Sequence, residues 1–257
     1  GAVGGAEGAR VAAEGDGELV HGGMEISSWG RDLDGAQSLM DLIEGVCAAA
    51  PGCRVRLGSL EPRTITEDFC QRAVALPNLC PHFHLSMQSG CDETLKRMNR
   101  KYDTARYLQS VQWLNQYFDR PAITTDLIVG FPQETEEEFA QTLDFIRRCA
   151  FSSMHIFPYS RRSGTPAATM AGQIPHAVQE QRAQAAQAVA REMEEAYLQA
   201  LVGSTLPVLF EEEKEGLWQG HAPNYVAVRA AGENLHNQLR QVTITGVGDG
   251  ILLGTIQ

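Results

Sequence analysis

Past residue 37 the apolar positions of this chain alternate between two rhythms. Leu39, Leu42, Ile43 and Val46 make the stripe of an amphipathic helix over residues 37–49. Residues 54–60 then alternate as a short strand, and residues 82–86, 122–129 and 153–157 form further apolar runs of strand length. Helices are predicted between them. Thr64-x-x-Glu67 is a capping box after Pro62, residues 92–98 form a short helix, and Asp103 caps a helix that runs to Tyr117. Thr135-x-x-Glu138 caps another that runs to Cys149. Strands alternating with such helices predict βαβ units and a parallel sheet: four strands across residues 54–157, helices on its outer face, and one further strand near residues 19–27.

After Pro175 the pattern becomes one long Ala/Gln/Glu-rich helix towards Leu201, with Ala186, Val189, Ala190, Met193 and Tyr197 on one face and Gly203 as its stop. Beyond it, short apolar runs (206–210, 225–229, 241–245, 251–256) are separated by Gly, Asn and charged turns, which predicts a small five-stranded antiparallel barrel. At the other end, thirteen of the first twenty-three residues are Gly or Ala with no hydrophobic period. The expected organisation is an irregular tail over residues 1–23, an α/β domain over 24–202 and a β-barrel over 203–257.

Composition narrows the function classes. With 257 residues, 43% of them hydrophobic, the chain is long enough for two cores. It has no run of 18 apolar residues and no basic-then-apolar leader, so the expectation is a cytoplasmic protein without a membrane span, with a monomer as the default. A net charge of −11 argues against indiscriminate nucleic-acid binding but leaves room for a local basic groove. Six cysteines (Cys47, Cys53, Cys70, Cys80, Cys91, Cys149) have no close pair, so they fit neither a disulfide framework nor a zinc ribbon.

Candidate chemistry gathers where strands end. In a parallel α/β barrel, the C-terminal ends of the strands handle ligands. Gln88-Ser89-Gly90 supplies directional donors beside a permissive backbone, or is an ordinary turn. Arg100 can fork onto a carboxylate, or is a solvated charge beside Lys96, Arg97 and Lys101. Asp126 interrupts an apolar strand, which asks for a partner or a function. Glu61 and Arg162 lie on the same rim, where salt bridges and turn chemistry are the alternatives. Trp218, His221, Asn224 and Tyr225 offer π faces with hydrogen-bonding groups, suited to unpaired bases or to packing.

The strings HLSMQSGCDETLKRMNRKY (84–102), VGFPQET (129–135) and VLFEEEKEGLWQGHAPNYVAVRA (208–230) resemble the radical-SAM tRNA methylthiotransferases, most of all the threonylcarbamoyladenosine branch, and the resemblance covers residues 24–257. It implies a partial, open TIM-like radical-SAM barrel followed by a TRAM-like barrel. It implies S-adenosyl-L-methionine (SAM) and [4Fe-4S] clusters as cofactors, and a tRNA anticodon stem-loop as partner. In such enzymes a reduced cluster cleaves SAM to a radical that attacks the base, and a second cluster takes part in sulfur delivery. The target implied is C2 of N6-threonylcarbamoyladenosine next to the anticodon. Gln88 and Ser89 would lie beside SAM, Arg100 near its carboxylate and Gly130 against its adenine, with Asp126, Glu61 and Arg162 around the same site. Trp218, His221, Asn224 and Tyr225 would meet RNA. The Cys-x3-Cys-x2-Cys loop of the family is not in this sequence. The expectation is therefore an N-terminally truncated relative, inert alone; the alternative is a non-catalytic RNA-binding or scaffold fragment.

Overall fold

The computed structural model describes residues 17–21 and 38–257; the strand and loop expected at 24–30 lie outside them. Five parallel strands form an open sheet. β1 (Glu18–His21) pairs in parallel with β2 (Arg54–Leu57), and β3 (His82–His84), β4 (Ala122–Val129) and β5 (Ser153–Pro158) form a parallel trio in the order β3-β4-β5. Parallel bridges Val55–Leu79 and Leu60–Leu85 join the two groups. β1 sits in the stretch expected to be an irregular tail, so that expectation is corrected at its C-terminal end.

Helices cover one face. They are α1 (Leu39–Ala49), α2 (Glu67–Val74), α3 (Asp92–Arg97), α4 (Thr104–Tyr117) and α5 (Glu136–Cys149), followed by a short α6 (Pro166–Thr169) and the long α7 (His176–Leu201). The caps on α4 and α5 fall where expected: Arg106 N–H donates to Asp103 Oδ1 at 2.8 Å, and Thr135 and Glu138 close a reciprocal box. Thr64 does not cap α2. It ends a 3-10 turn (Pro62–Thr64), and Thr66 accepts from Phe69 N–H instead. Odd-numbered β4 residues face the helices, where Ile123, Leu127 and Val129 pack with Phe83, Leu85, Tyr107 and Phe145. The even-numbered face looks into the open lumen.

The chain then closes a second body. β6 (Thr205–Lys214), β7 (Leu217–His221), β8 (Ala227–Ala230), β9 (Gln238–Gly248) and β10 (Ile251–Ile256) form a closed barrel in the order β10-β8-β7-β6-β9. It is not wholly antiparallel as expected: β8 and β10 run parallel where the barrel closes. Gly220 permits the approach of β7 to β6, since a Cβ there would lie 2.1 Å from the Leu209 carbonyl oxygen. α7 belongs to both cores. Its Ala183, Ala186 and Val189 pack under the sheet, while its Leu198 and Leu201 enter the barrel core with Val208, Phe210, Val242 and Leu252.

Candidate functional site

The lumen face of the sheet carries a polar relay that crosses all five strands. Arg56 on β2 forks onto Glu18 of β1 at 2.7 and 3.1 Å, and its Nη1 also donates to His82 Nδ1 at 3.2 Å. His82 therefore carries its proton on Nε2, which faces Thr124 Oγ1 at 3.2 Å. Thr124 in turn meets His84 Nδ1 at 2.9 Å, and His84 Nε2 meets Asp126 Oδ2 at 3.1 Å. His155 on β5 approaches the other Asp126 oxygen at 3.3 Å. Asp126 thus has two histidine partners on the neighbouring strands, and the hydrogen bond from His84 holds its carboxyl below the usual range. Burial pulls His82 the other way for an imidazole, down to about 4. Burial raises Glu18, but the hydrogen bond and charge of Arg56 and the charge of Arg54 outweigh it, and its net shift is downward.

The β-barrel docks on the N-terminal half of this relay. Arg54 Nη1 donates to the His221 carbonyl at 3.1 Å, and Arg56 Nη1 to the Pro223 carbonyl at 3.0 Å. Tyr225, in left-handed backbone at φ 64°, stacks on His221 (4.8 Å) and on His82 (5.6 Å), with the Arg56 guanidinium 4.6 Å from its ring centre. Between sheet and barrel lies a cavity of about 460 Å³ lined by His84, Thr124, His155, Glu194, Tyr197 and Asn224 among others. Burial raises the Glu194 carboxyl.

Of the four residues read as base contacts, His221, Asn224 and Tyr225 meet at this junction, where Asn224 donates to Tyr197 Oη at 3.2 Å. Trp218 does not join them; it packs against the barrel core.

The rim at the C-terminal strand ends is built differently. Gln88 bridges to Leu127 on β4 in left-handed backbone at φ 72°, an unusual conformation for a residue other than glycine. Ser89 is fully buried and turned to the helix side, its hydroxyl 3.5 Å from Thr142 Oγ1 and accepting from Cys91 N–H. Gly130 faces α7. At φ +71°, its added Cβ would lie 2.4 Å from Gln179 Cγ, and its N–H donates to the buried Glu134 at 2.9 Å. Arg182 of α7 holds Glu134 at 2.9 Å. Glu61 accepts from Arg63 at 3.0 Å.

The basic run sorts itself clearly. Lys96 pairs with Glu93, Lys101 reaches Asn99, and Arg97 forks onto Glu138 of α5. The reading of Arg97 as a solvated charge is thus overturned. Arg100 is exposed and makes no side-chain hydrogen bond or ion pair with the described residues, and the same is true of Arg162.

The six thiols do not fit an iron–sulfur cluster. Each is buried, and they stand on separate elements. Burial pushes Cys47, Cys70 and Cys80 up to about 11 and Cys149 up to about 12, away from the thiolate form that ligates iron. SAM fits the rim better: Gln88 and Arg100 offer a directional amide and a free guanidinium at one end of one sheet.

Sequence reading missed His82, His84, His155 and Arg56. The signal was there in the alternate spacing of 54/56, 82/84 and 124/126, but only strand register joins them.

The family profile described as the Radical SAM superfamily matches residues 8–146. A tRNA-2-methylthio-N(6)-dimethylallyladenosine synthase from Desulfitobacterium hafniense is 38% identical over 90% of this chain and 53% of its own length. A threonylcarbamoyladenosine tRNA methylthiotransferase from Thermotoga maritima is 33% identical over 88% and 52%. The chain spans about half the length of these curated relatives. A solved structure of coproporphyrinogen III oxidase from Escherichia coli, described as a Radical SAM enzyme, superposes with a TM-score of 0.49 at 12% identity, covering 72% of this chain and 51% of that one.

Proposed function

We propose that this chain, which belongs to the Radical SAM superfamily, serves tRNA 2-methylthiolation, with N6-threonylcarbamoyladenosine next to the anticodon as the base. The observation that carries the reading is Arg100. Alone among four clustered cations it keeps its guanidinium free, and it does so on the ligand-handling rim. A free fork there suits the carboxylate of SAM. When bound, SAM supplies the methyl group and the adenosyl moiety of the chemistry. This chain's own share is to hold SAM with Arg100 and Gln88. Its thiols do not fit a cluster, so no step is assigned to one here. The C-terminal barrel, TRAM-like in its GHAPNY string, completes the cavity beside the lumen.

N6-dimethylallyladenosine is the second reading, favoured by the name of the Desulfitobacterium relative. One experiment separates the two. The chain is fused behind the N-terminal half of that relative and expressed in a strain devoid of 2-methylthio nucleosides, whose tRNA is then analysed by mass spectrometry. The expected product is 2-methylthio-N6-threonylcarbamoyladenosine. The dimethylallyl product would transfer the assignment to the second reading. Neither product, from a soluble fusion with an intact cluster spectrum, would overturn both.

A further inference from the structure

The two bodies of this protein differ in how their cations are placed. The barrel, residues 205–257, holds Lys214, Arg229 and Arg240 against six acids. Lys214 is paired with Glu212 at 2.7 Å, and Arg229 lies 3.6 Å from Glu215 and donates to Gln219. Arg240 donates to Gln238. Little positive charge is left there to meet a polyanion.

The rim of the sheet is the opposite. Residues 99–102 and 159–175 contain Arg100, Lys101, Arg161 and Arg162 and no acid at all, in a chain of 32 acids and 21 bases. Both segments leave the same end of the sheet. Tyr102 anchors the first by donating to the Ser86 and Met87 carbonyls, and Tyr159 N–H ties the second to the Val129 carbonyl. Arg161 and Arg162 are both exposed. Their turn is preorganised, because the Arg162 carbonyl accepts from Thr165 N–H and from Thr165 Oγ1 at 2.7 Å.

From this we infer that the Arg161–Arg162 turn is the RNA-phosphate contact of the protein, and that the C-terminal barrel is not. The inference deepens the tRNA reading above and rests on it. It also moves Arg162 from the cofactor to the nucleic acid. The flanking segment is rich in small residues (Ser160, Ser163, Gly164), so a phosphate backbone can approach both guanidinium groups without a steric barrier.

The test is fluorescence anisotropy of an anticodon stem-loop RNA with the full chain, titrated at several salt concentrations. Three proteins are compared: wild type, R161Q/R162Q, and K214Q/R240Q on the barrel. Two lost phosphate contacts should flatten the log–log salt slope by roughly 1.4 to 1.8. Across a fourfold rise in salt, the wild type should then lose roughly seven- to twelvefold more affinity than R161Q/R162Q. K214Q/R240Q should follow the wild type, and R161Q/R162Q should bind SAM as the wild type does. An unchanged slope in R161Q/R162Q, or a flattened one in K214Q/R240Q, overturns the inference and leaves the tRNA reading standing. Weaker SAM binding by R161Q/R162Q returns Arg162 to the cofactor and also overturns it. A wild type that binds no RNA at any salt overturns the inference and the tRNA reading together.

Discussion

On β2, Arg54 and Arg56 direct their guanidinium groups to Glu18 and to the barrel carbonyls of His221 and Pro223, and Arg56 is 4% exposed. At the opposite end of the same sheet, Arg100, Arg161 and Arg162 stand exposed without a side-chain partner. One residue type thus does two jobs. Where its donors are met by fixed acceptors, it joins two bodies of the protein. Where they are left open on a strand-end rim, it waits for an acceptor from outside. The difference lies in the neighbours rather than in the arginine, and it can be tested at each end.

The largest effect should come from the closed end. Arg56→Ala leaves Glu18 partly buried without its fork and removes the hydrogen bond to the Pro223 carbonyl. Breaking such a pair costs about 3–5 kcal/mol, which urea unfolding would read directly. A loss below about 1 kcal/mol would mean that the clamp is decorative.

Next is the pH dependence of the same region. The folded His82 imidazole sits at about 4, against 6.5 for the free group. Below pH 6.5 the unfolded chain takes up a proton that the folded chain refuses, so stability should be full above that pH and fall towards pH 4, by about 3 kcal/mol at most. His82→Gln should abolish this slope, and a retained slope would assign it to other groups. Asp126 and Glu138 act at lower pH. The bond from His84 and the bond from Arg97 hold their carboxyls below 3.8 and 4.5 respectively, so the stability they contribute is present above those values and lost as pH falls through the depressed ones.

The smallest stability effects belong to the rim. Arg97→Ala should cost about 1–2 kcal/mol, because it strips Glu138 of its fork. Arg100→Ala should cost under about 0.5 kcal/mol. SAM affinity should show the reverse order. Arg100→Ala should weaken it roughly ten- to hundredfold, whereas Arg97→Ala should leave it nearly unchanged. Calorimetry on both variants checks the crossing, and parallel losses would remove Arg100 from the site.

The elements that could be read from sequence were those fixed by local chemistry. β4 and β10 fall on their expected spans, and the Asp103 and Thr135 caps are where the spacing put them, because the donors and acceptors lie within one turn. β7 was missed, since Trp218, Gln219, Gly220 and His221 show no apolar alternation; Gly220 is there for the backbone of β6, not for a core. Arg97 was misread for a related reason: its partner Glu138 lies 41 residues away, on another helix. Gly130 and Ser89 carry the wording of the rim, yet they face the helices and support it from behind. The junction of sheet and barrel depends on the register between β2, β3 and β4 and on the path of α7, which no short window contains.

The relay has one further property. From Arg56 through His82, Thr124 and His84 to Asp126, each hydrogen bond points the same way, and bonds arranged head to tail polarise one another. The lumen is therefore biased like a small capacitor, positive at β2 and negative at β4 and β5. A guest with separated charges of its own has a preferred way round in that field, settled before any contact forms.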